Sequence, residues 1–357
     1  MAYLKLYKHK LKENFDFLKN TFEESDVSWG IVSKILCGNR TYLKELIDLG
    51  CKEIHDSRIS NLARVKKIDP TVQTCYIKPP ARRSVPDVIR YADVSMNTEY
   101  FTMKLLSDEA TKQGKTHKVI IMIETGDLRE GVMGDHLIEF YAKVFQLPNL
   151  EIIGLGTNLN CLHGVMPSQD KLIQLSLYKQ IIELKFGKKI PWVSGGTSVT
   201  IPLLMNKQLP KGVNHFRVGE TLYFGADLFH ESVIPGMHDD VFELFTEIIE
   251  ITEKPVVPIG ELAANPQGEV MEIDESLYGQ TAYRAILDLG LLDIDPKYLI
   301  LEGHGFEVVG ASSDMLVLDL GTNPDKMKVG DQIKFKLKYM GALAILNSHY
   351  IEKTVSE

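Results

Sequence analysis

Between residues 29 and 223 the sequence alternates short apolar runs with longer amphipathic stretches, and this alternation leaves few folds open. The runs have the length and β-branched content of buried strands, and the stretches between them are long enough for helices. The strand-like runs are Trp29–Lys34, Glu53–His55, Gln73–Lys78, Val94–Asn97, Lys118–Glu124, Ile152–Leu159, Trp192–Ser194 and Phe216–Tyr223. Strands that alternate with helices predict a parallel sheet, and eight of them favour a TIM-type (β/α)8 barrel.

The pattern changes after about residue 230. Runs at Val241–Thr252, Tyr283–Leu289, Met315–Leu320 and Gln332–Leu337 read as strands separated by turn residues, without comparable helices between them. This change predicts a separate β-rich domain. We therefore expect a barrel domain over residues 1–230 and a C-terminal β domain over residues 231–357, with residues 1–10 able to pair with the second domain.

Composition excludes several classes of function. The 357 residues are 44% hydrophobic, which is enough for two cores, and the net charge of −8 argues against a nucleic-acid or anionic-membrane surface. The four cysteines lack metal-ligand spacing. The lysine-rich first twenty residues have no apolar core, so we expect no signal peptide and a cytoplasmic protein.

Lys34 ends the apolar run that begins at Trp29. An unpaired ammonium in a buried strand is costly, so this lysine needs an explanation. It can extend to solvent at the end of the strand. Alternatively, it is a desolvated amine that forms a Schiff base with a carbonyl cofactor. Because the polar groups at the carboxyl ends of barrel strands converge on one active site, the predicted fold favours the second interpretation.

The segment Ser194-Gly195-Gly196-Thr197-Ser198 directly follows the seventh predicted strand. Two glycines allow a ligand to approach the backbone closely, and the free N–H and hydroxyl groups suit a phosphate. A tight turn with a Thr or Ser helix cap is the alternative. Since TIM barrels often bind phosphate after strands seven and eight, the position favours a phosphate site.

Two arginines are further candidates for ligand contacts. Arg217 lies on the eighth predicted strand, and a guanidinium inside a barrel must meet an acceptor, either Glu220 or the ring nitrogen of a cofactor. Arg129 follows the fifth predicted strand. It and Asp56 could orient a cofactor or a substrate carboxylate, or Arg129 could belong to a solvated loop.

Together these residues resemble the fold-type III pyridoxal-phosphate enzymes, the alanine racemase superfamily, and within it the ornithine racemase branch. The resemblance covers essentially the whole chain. The matching segments are Val32–Asn39, Asp56–Leu62, Gly126–Gly131, Val193–Gly196, Leu209–Gly212, Arg217–Glu220, Glu253–Pro255, Pro258–Glu261 and Gly310–Asp314.

The resemblance implies a racemase of ornithine or another basic amino acid that uses pyridoxal 5′-phosphate and works as a homodimer with shared active sites. Lys34 would form the internal aldimine and act as one proton-transfer base. The implied cofactor-binding residues are Lys34, Arg129, Asn158, Ser194, Gly195, Gly196, Thr197, Ser198 and Arg217. Among these, Arg217 would face the pyridine nitrogen, and Asn158 would replace a ring-contacting histidine.

Leu291 stands where alanine racemases present a tyrosine as the second base, and leucine cannot transfer a proton. The second base stays open among Tyr283, Asp314, Cys161 and His163. The partner of a substrate ammonium is open among Asp127, Glu220, Glu261 and Asp314. A racemase of alanine or another amino acid and a non-catalytic pyridoxal-phosphate-binding protein are the alternatives. A decarboxylase is disfavoured because its cysteine motif is missing.

Overall fold

A computed structural model describes residues 2–264, 268, 270, 272–303 and 305–357. The chain divides into two compact units. One unit spans Tyr7–Val241, and the other joins the N-terminal strand through Leu6 to Phe242–Ser356. Within the described residues, no helix has both the length and the apolar character that a membrane span requires.

The barrel unit contains nine helices and most of its strands alternate with them. The strands of the chain, in order, are β1 (Tyr3–Tyr7), β2 (Ser28–Val32), β3 (Glu53–Asp56), β4 (Gln73–Tyr76), β5 (Val94–Asn97), β6 (His117–Met122), β7 (Leu150–Gly156), β8 (Trp192–Ser194), β9 (Gly196–Thr197), β10 (His215–Val218), β11 (Ala226–Asp227), β12 (Ser232–Val233), β13 (Phe242–Pro255), β14 (Thr281–Leu287), β15 (Leu299–Leu301), β16 (Glu307–Ala311), β17 (Leu316–Asp319), β18 (Gln332–Leu337) and β19 (Glu352–Ser356). The helices are α1 (Lys8–Glu24), α2 (Arg40–Asp48), α3 (Ile59–Ile68), α4 (Val85–Tyr91), α5 (Tyr100–Lys112), α6 (Leu137–Val144), α7 (Gln169–Phe186), α8 (Ile201–Met205), α9 (Glu220–Phe224) and, in the other unit, α10 (Tyr339–Asn347).

The strands β2 to β10 form one parallel sheet in the order β8-β7-β6-β5-β4-β3-β2-β10-β9. The short strands β8 and β9 are two halves of one extended segment around Gly195, and they pair with β7 and β10 respectively. The sheet therefore has eight strand positions, which confirms the predicted (β/α)8 barrel. Its interior is filled by side chains that pack together as one cluster: Cys75, Val94, Met96, Ile120, Met122 and Ile153.

Two predicted strands are shorter in the structure. The strand β2 ends at Val32, and Lys34–Leu36 form a 3-10 turn that Cys37 closes in the left-handed region at a φ of 49°. The strand β10 ends at Val218, and α9 follows after Gly219. Both predictions ran too far because apolar residues of the following turn and helix continue the apolar pattern of the strand.

The second unit is an antiparallel sheet, as predicted for the C-terminal region. Its central path is β15-β18-β13-β14-β17-β16, and β1 joins β13 with Tyr3 opposite Phe245. These two rings stack with centroids 5.0 Å apart. The long strand β13 organises the unit because it pairs with β1, β14 and β18 along its length.

Candidate active site

Lys34 lies at the carboxyl end of β2, beside β10. In the parallel register, Gly30 of β2 is opposite Arg217, and Ile31 is opposite Val218. The side chain of Lys34 is exposed. The desolvated lysine that the sequence suggested is thus wrong for this state of the chain, because the strand ends before Lys34 and the 3-10 turn points it outward.

Asp56 holds the turn that carries Lys34. Its carboxylate accepts hydrogen bonds from Ser33 Oγ at 2.8 Å, from Asn61 Nδ2 at 3.1 Å and from the backbone N–H of Arg58 at 2.8 Å. Burial raises the pKa of Asp56, and these donors oppose that shift. Since the side chain is fully occupied by its neighbours, Asp56 supports the lysine turn and does not orient a ligand directly.

Arg217 is buried and meets no carboxylate directly. Its Nη1 donates to the carbonyl oxygen of Ser194 at 2.7 Å and to Ser194 Oγ, and its Nη2 donates to the carbonyl oxygen of Thr157 and to Asn158 Oδ1, both at 2.7 Å. Burial lowers the pKa of Arg217 to about 10. Among the described residues, its Nε–H makes no hydrogen bond and Glu220 is not a partner, so one donor of a buried guanidinium is left for a ligand.

On one side of Arg217, hydrogen bonds lead to Arg129. Asn158 Nδ2 donates to Glu130 Oε1, and Arg129 Nη2 donates to the same carboxylate oxygen at 2.7 Å. The hydrogen bond from Glu130 raises the pKa of Arg129. The structure thus brings Arg129, Asn158 and Arg217 together. The sequence reasoning missed Glu130, although its place next to Arg129 at the end of a strand was a usable signal.

On the other side of Arg217, hydrogen bonds run into the barrel interior. Ser194 Oγ lies 2.6 Å from His215 Nδ1, and His215 Nε2 lies 2.8 Å from Glu53 Oε1. His55 Nε2 contacts the same Glu53 oxygen, and Gln73 Nε2 donates to Glu53 Oε2 at 2.6 Å. The sequence reasoning missed this set because its members are far apart in the chain and lie within apolar-looking strands.

The side chain of Ser194 is therefore already occupied by Arg217 and His215, and it is fully buried. Within the candidate phosphate segment, Ser198 Oγ accepts from the backbone N–H groups of Gly219 and Thr221, each at 3.2 Å. Ser198 thus ties the segment to the end of β10, and Ser194 faces the barrel interior.

The two glycines of this segment are required by neighbouring side chains. A Cβ at Gly195 would lie 3.1 Å from Leu172 and from Leu175 of α7, and a Cβ at Gly196 would overlap the ring of Phe216. The side chain of Thr197 caps the following 3-10 turn. The turn-and-cap interpretation is thus present in the structure, and the glycines are explained without a ligand.

Asp127 holds the loop that follows β7. Its carboxylate accepts from the backbone N–H groups of Cys161 at 3.0 Å, Leu162 at 2.9 Å, His163 at 3.1 Å and Val165 at 3.3 Å. Burial raises the pKa of Asp127, but these donors outweigh it and the pKa lies below its usual range. Because its oxygens are engaged by the protein, Asp127 is a weak candidate for binding a substrate ammonium.

A family model described as "Alanine racemase, N-terminal domain" matches residues 7–227. The chain belongs to this family. It is 37% identical over 346 residues to the ornithine racemase of Acetoanaerobium sticklandii, covering 97% of both chains. It is also 32% identical to the lysine racemase of Thermotoga maritima, covering 90% of this chain and 89% of the relative. These matches confirm the family that the sequence motifs resemble.

A solved structure supports the same fold. Alanine racemase from Bartonella henselae with covalently bound pyridoxal phosphate aligns with a TM-score of 0.75 at 15% identity. The alignment covers 99% of each chain, so both units of this protein have counterparts there. At this identity the likeness concerns the fold alone.

Proposed function

We propose that this chain is a pyridoxal 5′-phosphate-dependent racemase of basic amino acids, with ornithine as the first candidate substrate. The relatives at 37% and 32% identity are described as racemases of ornithine and of lysine. The structural observation that carries the proposal is the placement of Lys34 and Arg217 at the carboxyl ends of adjacent parallel strands. In a barrel, these ends form the active-site face.

The donor set fits the cofactor. A pyridine nitrogen is a hydrogen-bond acceptor, and the Nε–H of Arg217 is a buried donor without a partner among the described residues. The exposed amine of Lys34 is available for the cofactor carbonyl. Arg129 stays charged because Glu130 raises its pKa, and its half-exposed guanidinium suits the cofactor hydroxyl or the substrate carboxylate.

When bound, pyridoxal phosphate supplies an electron sink that makes the α-proton of an amino acid removable. Lys34 would hold the cofactor through Nζ and then move the α-proton on its own face of the substrate. Arg217 would donate Nε–H to the ring nitrogen. A guanidinium with a pKa near 10 retains its proton at neutral pH, so the ring nitrogen would stay an acceptor.

Racemisation also needs a proton donor on the opposite face, and Leu291 cannot supply one. Cys161 is the candidate that the structure favours. Its charge contributes to raising the pKa of both Arg129 and Arg217, so the thiol lies near both guanidinium groups. Asp127 holds the backbone of its loop. We therefore include Cys161 in the proposal as the second proton-transfer residue.

A homodimer in the cytoplasm completes the proposal. The resemblance implies that a second subunit completes each active site, and the four free cysteines fit a reducing compartment. Size-exclusion chromatography with light scattering tests the dimer, and cell fractionation tests the compartment. A protein that is monomeric at all concentrations while racemising ornithine would contradict the shared active site.

The function is tested by cofactor attachment and chiral product analysis together. Purified protein is incubated with pyridoxal phosphate, reduced with borohydride and digested, and we expect the pyridoxyl group on the Lys34 peptide. Chiral chromatography should then show D-ornithine or D-lysine formed from the L-amino acids faster than D-alanine. Attachment to another lysine, or attachment without any D-product, would contradict the proposal.

A further inference from the structure

A row of buried polar side chains runs from Arg217 toward the amino ends of the strands. Arg217 Nη1 donates to Ser194 Oγ, which lies 2.6 Å from His215 Nδ1, and His215 Nε2 lies 2.8 Å from Glu53 Oε1. All four side chains are buried. The row joins a guanidinium that has no carboxylate among its direct acceptors in the described part of the chain to a carboxylate inside the barrel.

The donors around Glu53 fix the direction of each hydrogen bond. Glu53 Oε1 faces the Nε2 atoms of His215 and His55, and Glu53 Oε2 accepts from Gln73. An ionised carboxylate only accepts, so both rings place their proton on Nε2. Of the described residues, none contacts His55 Nδ1, which fits a lone pair at that atom better than an N–H.

The same direction continues to Arg217. With its proton on Nε2, His215 has a lone pair at Nδ1, which accepts the hydroxyl proton of Ser194. The oxygen of Ser194 then presents a lone pair to Arg217 Nη1. Every link is satisfied in one direction only, from the guanidinium to the carboxylate.

Two other uses of these residues are disfavoured by geometry. A Ser–His–Glu series also occurs in hydrolases, but Ser194 is fully buried and its oxygen already accepts from Arg217. Glu53, His55 and His215 are also metal-ligand types whose ligand atoms lie within 4.8 Å of one another. However, His215 and Glu53 are 2.8 Å apart, closer than the roughly 3.3 Å between ligands that tetrahedral zinc bonds of about 2.05 Å imply.

We propose that Glu53, acting through His215 and Ser194, is a positioning residue that fixes the orientation of the Arg217 guanidinium. The two terminal nitrogens are held by protein acceptors, so only Nε–H faces the ligand. The identity of that ligand as the pyridine nitrogen of the cofactor rests on the proposed function. The orientation of Arg217 does not depend on it.

The test uses nitrogen-15 NMR of arginine and histidine side chains in the full-length protein, with and without pyridoxal phosphate. In the wild type we expect His215 as the neutral Nε2–H tautomer and separate Nη signals for Arg217, because its acceptors hinder rotation. In Glu53→Gln and His215→Gln, the Nη signals should merge, and pyridoxal phosphate should bind about tenfold more weakly, the lower end of what outer-shell partners cost at metal sites.

His117→Gln is the matched control. His117 is also a buried histidine bound to a serine hydroxyl, 2.7 Å from Ser95 Oγ, but no hydrogen bond of the described residues links it to Arg217. Its substitution should leave the Arg217 signals unchanged. Unchanged signals in Glu53→Gln, equal changes in His117→Gln, or the reverse tautomer of His215 in the wild type would overturn the proposal.

Two outcomes separate this proposal from the proposed function. If the Arg217 signals respond to Glu53→Gln while pyridoxal phosphate does not bind, the positioning role is supported and the cofactor assignment fails. If the wild-type protein carries stoichiometric zinc that Glu53→Gln loses, the three residues form a metal site and the positioning role is overturned. Because the wild-type tautomer is measured without any variant, a poorly folded variant does not block the test.

Discussion

The mouth of the barrel and its interior hold their charged groups in different ways. At the mouth, Lys34 is exposed and Arg129 is half-exposed, with a single carboxylate as its ion-pair partner. In the interior, Arg217 and Glu53 are buried, and several neighbours bind each of them. The difference teaches that groups at the mouth can change partners when a substrate arrives, whereas the interior groups fix one orientation in advance.

Replacing the mouth lysine should give the largest effect on activity and almost none on folding. Lys34→Ala removes the amine that would hold the cofactor and move the α-proton, so racemisation should fall by about a thousandfold or more. The free energy of unfolding should change by less than about 0.5 kcal/mol because the side chain is exposed. Chiral assays and urea unfolding measure the two quantities, and a large loss of stability would break the distinction between mouth and interior.

A buried histidine should make stability depend on pH. Burial lowers the pKa of His117 from 6.5 to about 4. The unfolded chain therefore takes up a proton at higher pH than the folded chain, so this stabilisation is complete above pH 6.5 and is lost as the pH falls toward 4. The loss should reach about 2 kcal/mol at pH 5. Urea unfolding at pH 7 and 5 should show a smaller decrease for His117→Gln than for the wild type; equal decreases would contradict the assignment.

The glycine beside Phe216 should be intolerant of a side chain. Gly196→Ala places a Cβ in the ring of Phe216, so the protein should lose about 1–3 kcal/mol of stability, as overpacked cores do. Gly310→Ala, in strand β16 with open space around it, is the control and should be neutral or slightly stabilising. Thermal unfolding of both variants measures this, and equal effects would show that the ring moves aside.

The loop after β7 should give the smallest effect. Asp127→Asn removes the charge that accepts four backbone N–H groups, so the loop should loosen at a cost of about 1 kcal/mol. Racemisation should fall fewfold, because Cys161 lies in this loop. Hydrogen exchange of residues 161–165 measures the loosening. The exposed carboxylate variant Asp135→Asn should change neither quantity.

Periodicity predicted the barrel and the β unit because eight apolar runs and the later change of pattern are local signals. Motif resemblance also pointed to Lys34 and Arg217. The interior row could not be predicted, since Glu53 and His215 are 162 residues apart and meet only when β3 and β10 take their places in the barrel. Gly196 was assigned to ligand approach because the sequence cannot show that the ring of Phe216 occupies the same space.

The measurement that tests the central claim most directly is proton exchange at the α-carbon of L-ornithine in deuterated water, followed by chiral chromatography and mass spectrometry. The wild-type holoenzyme should produce D-ornithine with deuterium at the α-carbon, and Lys34→Ala should produce neither D-ornithine nor exchange. Exchange that leaves only L-ornithine would show that no second proton donor acts on the opposite face. That result would contradict the assignment of this chain as a racemase.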